Sequence, residues 1–419
     1  MSLKRRSFLR GSGALALTAL ASPVFAQTVV DELLNARRGN WNDQFDANSA
    51  GSGSVARVAS TLPIFSPETV VHVEQAIAYY QGIVAQGGWP DVPATKKLKL
   101  GVVDPDVELL RRRLMISGDL SPSAGISPAF DTYVEAALKR FQARHGLPSD
   151  GVTGRYTFAA MNVGATVRLQ QLETNLGRLR EMSANDLGQR YVMVNIPAAQ
   201  IEAVESGRVA LRHTAVVGKI DRQTPILSSK INEIIINPYW NAPESIVRKD
   251  IIPLMRKDPE YLTKNNIRLL GPNGEVDPLT IDWSTEEAAK LRFRQDPGKI
   301  NAMSAVKINF PNKHAVYMHD TPQQSLFTDQ ERFYSSGCVR VQNVRDLVTW
   351  LFRDTEGWNR RTFEQTIQSG ENMPVQLAQP VPVYFTYISA WSTGDGVVHF
   401  RDDIYGLDGN DELQLTSSL

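Results

Sequence analysis

The stretch "HAVYMHDTPQQSLFTDQERFYSSGCVRVQN", residues 314–343, contains the only cysteine of the chain, Cys338. A histidine, His319, closes the apolar segment "AVYM" upstream of it, and the thiol follows the turn "SSG". A lone cysteine is most simply a small buried hydrophobe. Its neighbours argue otherwise. Gly337 removes side-chain bulk just before the thiol, Ser335 and Ser336 are polar, and Arg340 follows. A structural cysteine belongs more naturally in an apolar strand. A nucleophilic one needs a base, something to orient that base, and donors for an oxyanion. His319 is the candidate base. The amides of Gly337 and Cys338 are candidate oxyanion donors. His314 precedes the strand beside Lys313 and reads as a solvated turn residue, and His213 and His399 lie far away in sequence. With one cysteine and no clustered Cys/His spacing, a zinc site is not expected.

The rest of the chain sets the context. Its 419 residues leave room for two or three domains. Lysine plus arginine equals aspartate plus glutamate, 45 each, which speaks against a nucleic-acid binder working through a bulk basic field. No apolar run reaches eighteen residues, so no stable membrane span is expected. The opening "MSLKRRSFLRGSGALALTALASPVFAQ" has a basic start, a short Ala-rich apolar stretch and small residues before Gln27. Residues 1–26 therefore read as a secretory signal. "RRSFLR" resembles the twin-arginine export signal, and the general secretory route is the alternative. Either route leads to the periplasm. Exported proteins usually pair their cysteines, which makes a single unpaired thiol more telling.

Residues 27–60 are rich in Gly, Ser, Asn and Asp and read as a flexible leader. Helical periodicity then spans Ser66 to Ala85 through Val70, Val73, Ile77, Tyr80 and Val84, with Ser66 as N-cap and Pro67 at the first helical position. Residues 61–96 and 164–189 form a helical scaffold. Its second helix, from Ala165 to Met182, has Val167, Leu169, Leu172, Leu176 and Leu179 on one face, and its charged residues are expected on the others. Between them, residues 97–163 form a small helical unit. Val107, Leu110 and Leu114 face inward from one helix, Val134, Ala137, Leu138 and Phe141 from the next, and Gly146 stands at a C-cap. From about residue 190 the texture changes to short β-branched and aromatic segments such as "RYVMVNIP", "NEIIINP" and "PVPVYFTYIS". Residues 190–390 thus read as a mainly β domain. A polar, helical insertion at about 244–300 interrupts it, and residues 391–419 extend it. The fold class is multidomain α+β.

Two resemblances join these readings. "ALKRFQARHGLPSDGVTGRYT" resembles the peptidoglycan-binding domain type 1 through Phe141, Gln142, Gly146, Leu147, Asp150, Gly151, Gly154 and Thr157. That implies a three-helix fold. "YMHDTP…SSGCVRVQN" is similar to the signature of L,D-transpeptidase catalytic domains of the YkuD type, and Gly218, Lys219, Thr224 and Pro225 resemble the start of that domain. The layout looks like the large Gram-negative periplasmic members, with a helical scaffold, a wall-binding domain and an inserted lid. The resemblance implies peptidoglycan stem tetrapeptides as donor and acceptor, a thioester on Cys338, proton transfer by His319, and 3–3 cross-links. It implies no cofactor and no metal, and a monomer is expected. Arg340 would orient the site or a carboxylate, or else form a structural salt bridge. Ser336 would hold the loop or substrate. Tyr317 and Trp240 would line the donor pocket or serve as core aromatics. The alternatives are L,D-carboxypeptidase action or wall-protein attachment by the same acyl-enzyme, and a non-catalytic peptidoglycan-binding protein.

Overall fold

The computed structural model describes residues 61–285 and 287–415. The expected export signal and leader lie outside the described residues. Five helices come first: α1 (Thr69–Ala85), α2 (Asp106–Ile116), α3 (Thr132–Arg144), α4 (Arg155–Asn162) and α5 (Ala165–Ser183). α1 starts later than its periodicity suggests. Glu68 is its N-cap residue and makes no side-chain cap bond. Ser66 instead closes a turn before the helix, donating its backbone N–H to the Thr69 hydroxyl at 2.8 Å.

Helices α2 to α4 enclose one core. Val107, Leu110, Leu114, Val134, Ala137, Leu138 and Phe141 are all fully buried in it. The polar motif residues here fasten the turn before α4. Gln142 donates to Asp150 at 2.8 Å and to the Val152 carbonyl at 3.0 Å, and its own carbonyl accepts from Gly151 N–H.

The β domain is a sheet closed on itself. Strands β1 (Arg190–Asn195), β2 (Gln200–Glu205), β3 (Arg208–Gly218), β4 (Leu227–Ile236), β9 (Val306–Asn309), β10 (Met318–His319), β11 (Phe333–Ser335), β12 (Val339–Val341) and β13 (Met373–Thr386) form it. Their order is β11-β3-β12-β10-β9-β4-β13-β1-β2, and a further β2–β3 pairing closes the ring. Closure leaves most strands without a free edge. The apolar runs follow from double-sided burial. In β1, Val192 and Val194 point into the barrel, while Tyr191 and Met193 pack against α1 and α5. Helices α6 (Val344–Leu351) and α7 (Arg360–Ser369) complete the barrel core through Val344, Leu347, Val348, Leu351 and Phe363.

Two features depart from the sequence reading. The insertion carries a sheet as well as its helical run at 244–257. Strands β5 (Trp240–Asn241), β6 (Ile267–Gly271), β7 (Gly274–Val276) and β8 (Arg292–Gln295) pair in the order β5-β8-β6-β7 around their own apolar core. The charged and polar residues of α5 are also not confined to its outer faces. Arg168, Gln171 and Asn175 are buried. The helix is gripped on two sides: its leucines meet α1 and the barrel, and its polar row meets the chain after β13. There Asn175 exchanges bonds with Ser389, and Gln171 donates to the Arg401 carbonyl at 3.0 Å. Strands β14 (Ala390–Ser392) and β15 (Val398–Phe400) form the hairpin within this segment.

Candidate active site

Strands β10 and β12 run parallel, with Met318 opposite Val339 and His319 opposite Arg340. On its other edge β10 places His319 opposite Lys307 of β9. Met318, Val339 and Ile308 are barrel core. Alternation therefore sends Tyr317, His319, Cys338, Arg340 and Lys307 to the opposite face of the sheet. The long loop between β10 and β12 is spanned by this pairing, so residues far apart in sequence become neighbours.

His319 is 7% exposed, more enclosed than a residue projecting freely at a strand exit. Its Nδ1 lies 2.6 Å from the Asp320 carbonyl. A carbonyl only accepts, so Nδ1 carries the proton and Nε2 is the basic nitrogen. Asp320 is itself anchored: its carboxylate accepts from Thr321 N–H at 2.8 Å, and its N–H donates to the Val306 carbonyl at 3.0 Å. Burial, then the charges of Arg340 and Lys307, pull the His319 pKa down to about 3. The imidazole is therefore neutral and ready to accept a proton.

Burial pushes the Cys338 thiol pKa up. The Tyr317 N–H and hydroxyl, Lys307 and Arg340 act against that shift, because each favours the thiolate. The resting pair is thus thiol and neutral imidazole, with two cations and two donors facing the sulfur as charge develops. Lys307 Nζ lies 4.4 Å from the Tyr317 ring centre, and the Tyr317 and His319 rings meet edge to face at 5.5 Å. Sequence reasoning missed Lys307. Its only signal was one cation inside the apolar run "AVKINF".

The remaining expected residues have distinct places. Arg340 donates to Gln323 Oε1 at 2.7 Å, and no carboxylate pairs with it among the described residues. Ser336 is exposed, and its hydroxyl accepts from Arg222 at 2.9 Å. Arg222 also pairs with Asp250 of the insertion at 2.5 Å. Trp240 is half-buried against the insertion core and acts on the Tyr317 hydroxyl, opposing the upward push that burial gives the Tyr317 pKa. It therefore joins the insertion to the thiol through one tyrosine. Gly337 has φ +111°, a conformation open to glycine. Its N–H donates to Ser335 Oγ at 3.1 Å, so an oxyanion there has a competitor.

A second network, unseen in the sequence, fixes the nucleophile loop. The Thr224 hydroxyl accepts from Gly218 N–H at 2.8 Å and donates to the Gly337 carbonyl at 2.9 Å. The Tyr405 hydroxyl accepts from Thr224 N–H at 3.1 Å and donates to the Gly218 carbonyl at 2.5 Å. Tyr405 N–H in turn bonds the Tyr387 hydroxyl, which donates to Asp403. Gly218 admits this close approach because a Cβ there would collide with the backbone of Arg222 and Thr224.

Residues 189–368 match the family described as L,D-transpeptidase catalytic domain, YkuD. This chain carries an L,D-transpeptidase catalytic domain. Residues 103–161 match the family described as "Putative peptidoglycan binding domain". The chain is 34% identical over 241 residues to a Haemophilus influenzae protein described as "Putative L,D-transpeptidase". The aligned part is 57% of this chain and 48% of that relative, so the chain spans about half the relative's length. Among solved structures, the L,D-transpeptidase of Stackebrandtia nassauensis aligns with 71% of this chain and 96% of its own, at 13% identity and TM-score 0.26. That of Xylanimonas cellulosilytica aligns with 70% and 99%, at 15% identity and TM-score 0.22.

Proposed function

We propose that this protein is a periplasmic peptidoglycan L,D-transpeptidase that forms 3–3 cross-links between stem peptides. The observation that carries the reading is the shared sheet face of Cys338, His319, Arg340 and Lys307 in a chain that also holds a peptidoglycan-binding domain. His319 Nε2 takes the thiol proton as sulfur attacks the carbonyl of the third stem residue. Lys307, Arg340 and Tyr317 favour the thiolate during attack. Cys338 N–H is the candidate oxyanion donor. The protonated imidazole returns its proton to the departing D-alanine nitrogen, leaving a thioester on Cys338. The side-chain amine of a second stem then attacks the thioester, and the thiol leaves with a proton. The wall-binding domain keeps the enzyme on its polymeric substrate, and the amino-terminal signal directs export by the twin-arginine or general secretory route.

The test is incubation with purified disaccharide-tetrapeptide, read by mass spectrometry beside Cys338→Ala. A dimer joined between third residues, absent in the variant, is the expected result. Loss of D-alanine without a dimer would redirect the reading to L,D-carboxypeptidase action. Intact folding with no turnover at all would favour the non-catalytic wall-binding alternative.

A further inference from the structure

The turn that follows β3 grips the segment before Cys338 residue by residue. Lys219 N–H donates to the Ser335 carbonyl at 3.0 Å, Arg222 Nη1 donates to Ser336 Oγ at 2.9 Å, and the Thr224 hydroxyl donates to the Gly337 carbonyl at 2.9 Å. The turn is itself closed by Arg222 N–H, which donates to the Lys219 carbonyl at 2.9 Å. A Cβ on Gly337 would stand 3.4 Å from the Gln223 carbonyl oxygen, so the two backbones lie close together. Ser335, Ser336 and Gly337 are thus each held by this turn.

Arg222 also reaches the insertion. Its guanidinium meets the Asp250 carboxylate in a two-pronged pair, Nη1 to Oδ2 at 2.5 Å and Nη2 to Oδ1 at 3.0 Å. Asp221 adds a longer contact to Nε at 3.9 Å. The Arg222 side chain is 12% exposed and that of Asp250 38% exposed, so water screens the pair and its contribution to stability is small. What it supplies is geometry. A planar guanidinium bonded to both carboxylate oxygens and to Ser336 is confined to one orientation.

The chain brings Asp250 there by an uncommon route. Pro253 has no N–H to give, and its ring crowds the preceding turn of helix. Between Glu244–Ile246 and Ile252–Lys257 the backbone widens into a π-helical turn, Val247–Ile251. Val247 and Ile251 stay in the insertion core while Asp250 pairs with Arg222. Such turns are rare and recur at functional sites. Trp240 of the same insertion acts on the Tyr317 hydroxyl. The insertion therefore meets the site at two points, and the one through Arg222 runs into the nucleophile segment itself.

We propose that Arg222 is a positioning residue: paired with Asp250, it ties the insertion to Ser336 and so sets the backbone of Gly337 and Cys338 for attack. The kinetic consequence rests on the reaction proposed for Cys338; the tie itself does not.

Hydrogen exchange of the full chain, read by mass spectrometry, is the first measurement, because it needs no substrate. Asp250→Asn should raise amide exchange about threefold or more on both sides of the tie, in 244–257 and in 335–339. Glu275→Gln breaks the exposed pair with Arg268 elsewhere in the insertion and should leave 335–339 unchanged. Cross-linking of disaccharide-tetrapeptide is the second measurement. Arg222→Gln should lower kcat about ten- to a hundredfold with KM within about threefold, as expected for a misplaced nucleophile. Adding Asp250→Asn to it should lower kcat no further, because Asp250 acts through Arg222. Exchange that rises in 244–257 alone, or equally in Glu275→Gln, would overturn the proposal. So would multiplicative losses in the double variant, or a raised KM with kcat intact. If the parent forms no cross-link, the proposed reaction fails, and the exchange pattern still decides the tie. Should Arg222→Gln fail to fold, unchanged exchange of 335–339 in Asp250→Asn would also overturn it.

Discussion

Lys307 and Arg340 lie against Cys338 on the outer face of the barrel, whereas Arg168, Arg332 and Arg401 crowd the junction behind α5. Both groups keep cations largely out of water. At the thiol, the cations favour the thiolate, a charge that the proposed reaction would call up. At the junction, Asp402 and Asp408 act on Arg168, and backbone carbonyls and aromatic rings hold Arg168 and Arg401. A cation beside a thiol can favour its ionised form, while a cation held by carbonyls and rings serves the packing.

That contrast can be tested in steps of decreasing size. Removing the base should hurt most. His319→Ala is expected to lower kcat for cross-linking by about 10²–10⁴-fold with folding retained, while a junction change such as Arg401→Gln should leave kcat within a few-fold. Comparable losses in both would erase the distinction. Next, Lys307→Met should raise the thiol pKa by about one unit, because an opposing cation is lost from a buried sulfur. The rate of alkylation by iodoacetamide, followed against pH, should move its midpoint upward and fall about tenfold near neutrality.

Acid stability gives a third test. Burial lowers the His319 pKa from 6.5 to about 3, and it pulls His145 and His399 well below their ordinary value. In the window below 6.5 the unfolded chain binds protons that these folded imidazoles refuse. Stability is therefore full above pH 6.5 and falls as pH drops, by about 1.4 kcal/mol per unit for each histidine. Urea midpoints that stay level from pH 7 to pH 4.5 would contradict this. The smallest effect is expected at the insertion. Trp240→Phe removes the indole N–H that acts on the Tyr317 hydroxyl, and should lower kcat/KM about fivefold, roughly a 1 kcal/mol effect.

Much of this architecture was legible in the sequence because periodicity reports burial. The inward faces of α2 and α3 and the two-sided strand "RYVMVN" follow directly from it. What escaped is instructive. In α5 the polar row Arg168, Gln171 and Asn175 repeats at helical spacing, but a polar stripe looks solvated until a second body covers it. The strands of the insertion are short and polar, so their pattern was lost beside the helical run. His319 and Cys338 stood out through motif and chemistry, whereas Lys307 joined them through cross-strand register, which one sequence does not display. Thr224 was noticed as part of a resemblance, but its direct bond to the Gly337 carbonyl and its anchor on Tyr405, in a segment read only as an extension, were not.

The Tyr405 hydroxyl carries a consequence for biosynthesis. A ribosome delivers the chain from its amino terminus, and domains begin to fold as they emerge. The barrel strands and Cys338 all precede Tyr405, yet the loop before the thiol is tied down by that late tyrosine. A nascent or truncated chain ending short of it holds every reacting group but lacks the tie that sets them. The tie that sets the thiol loop therefore forms only once Tyr405 has emerged, later than every group it positions.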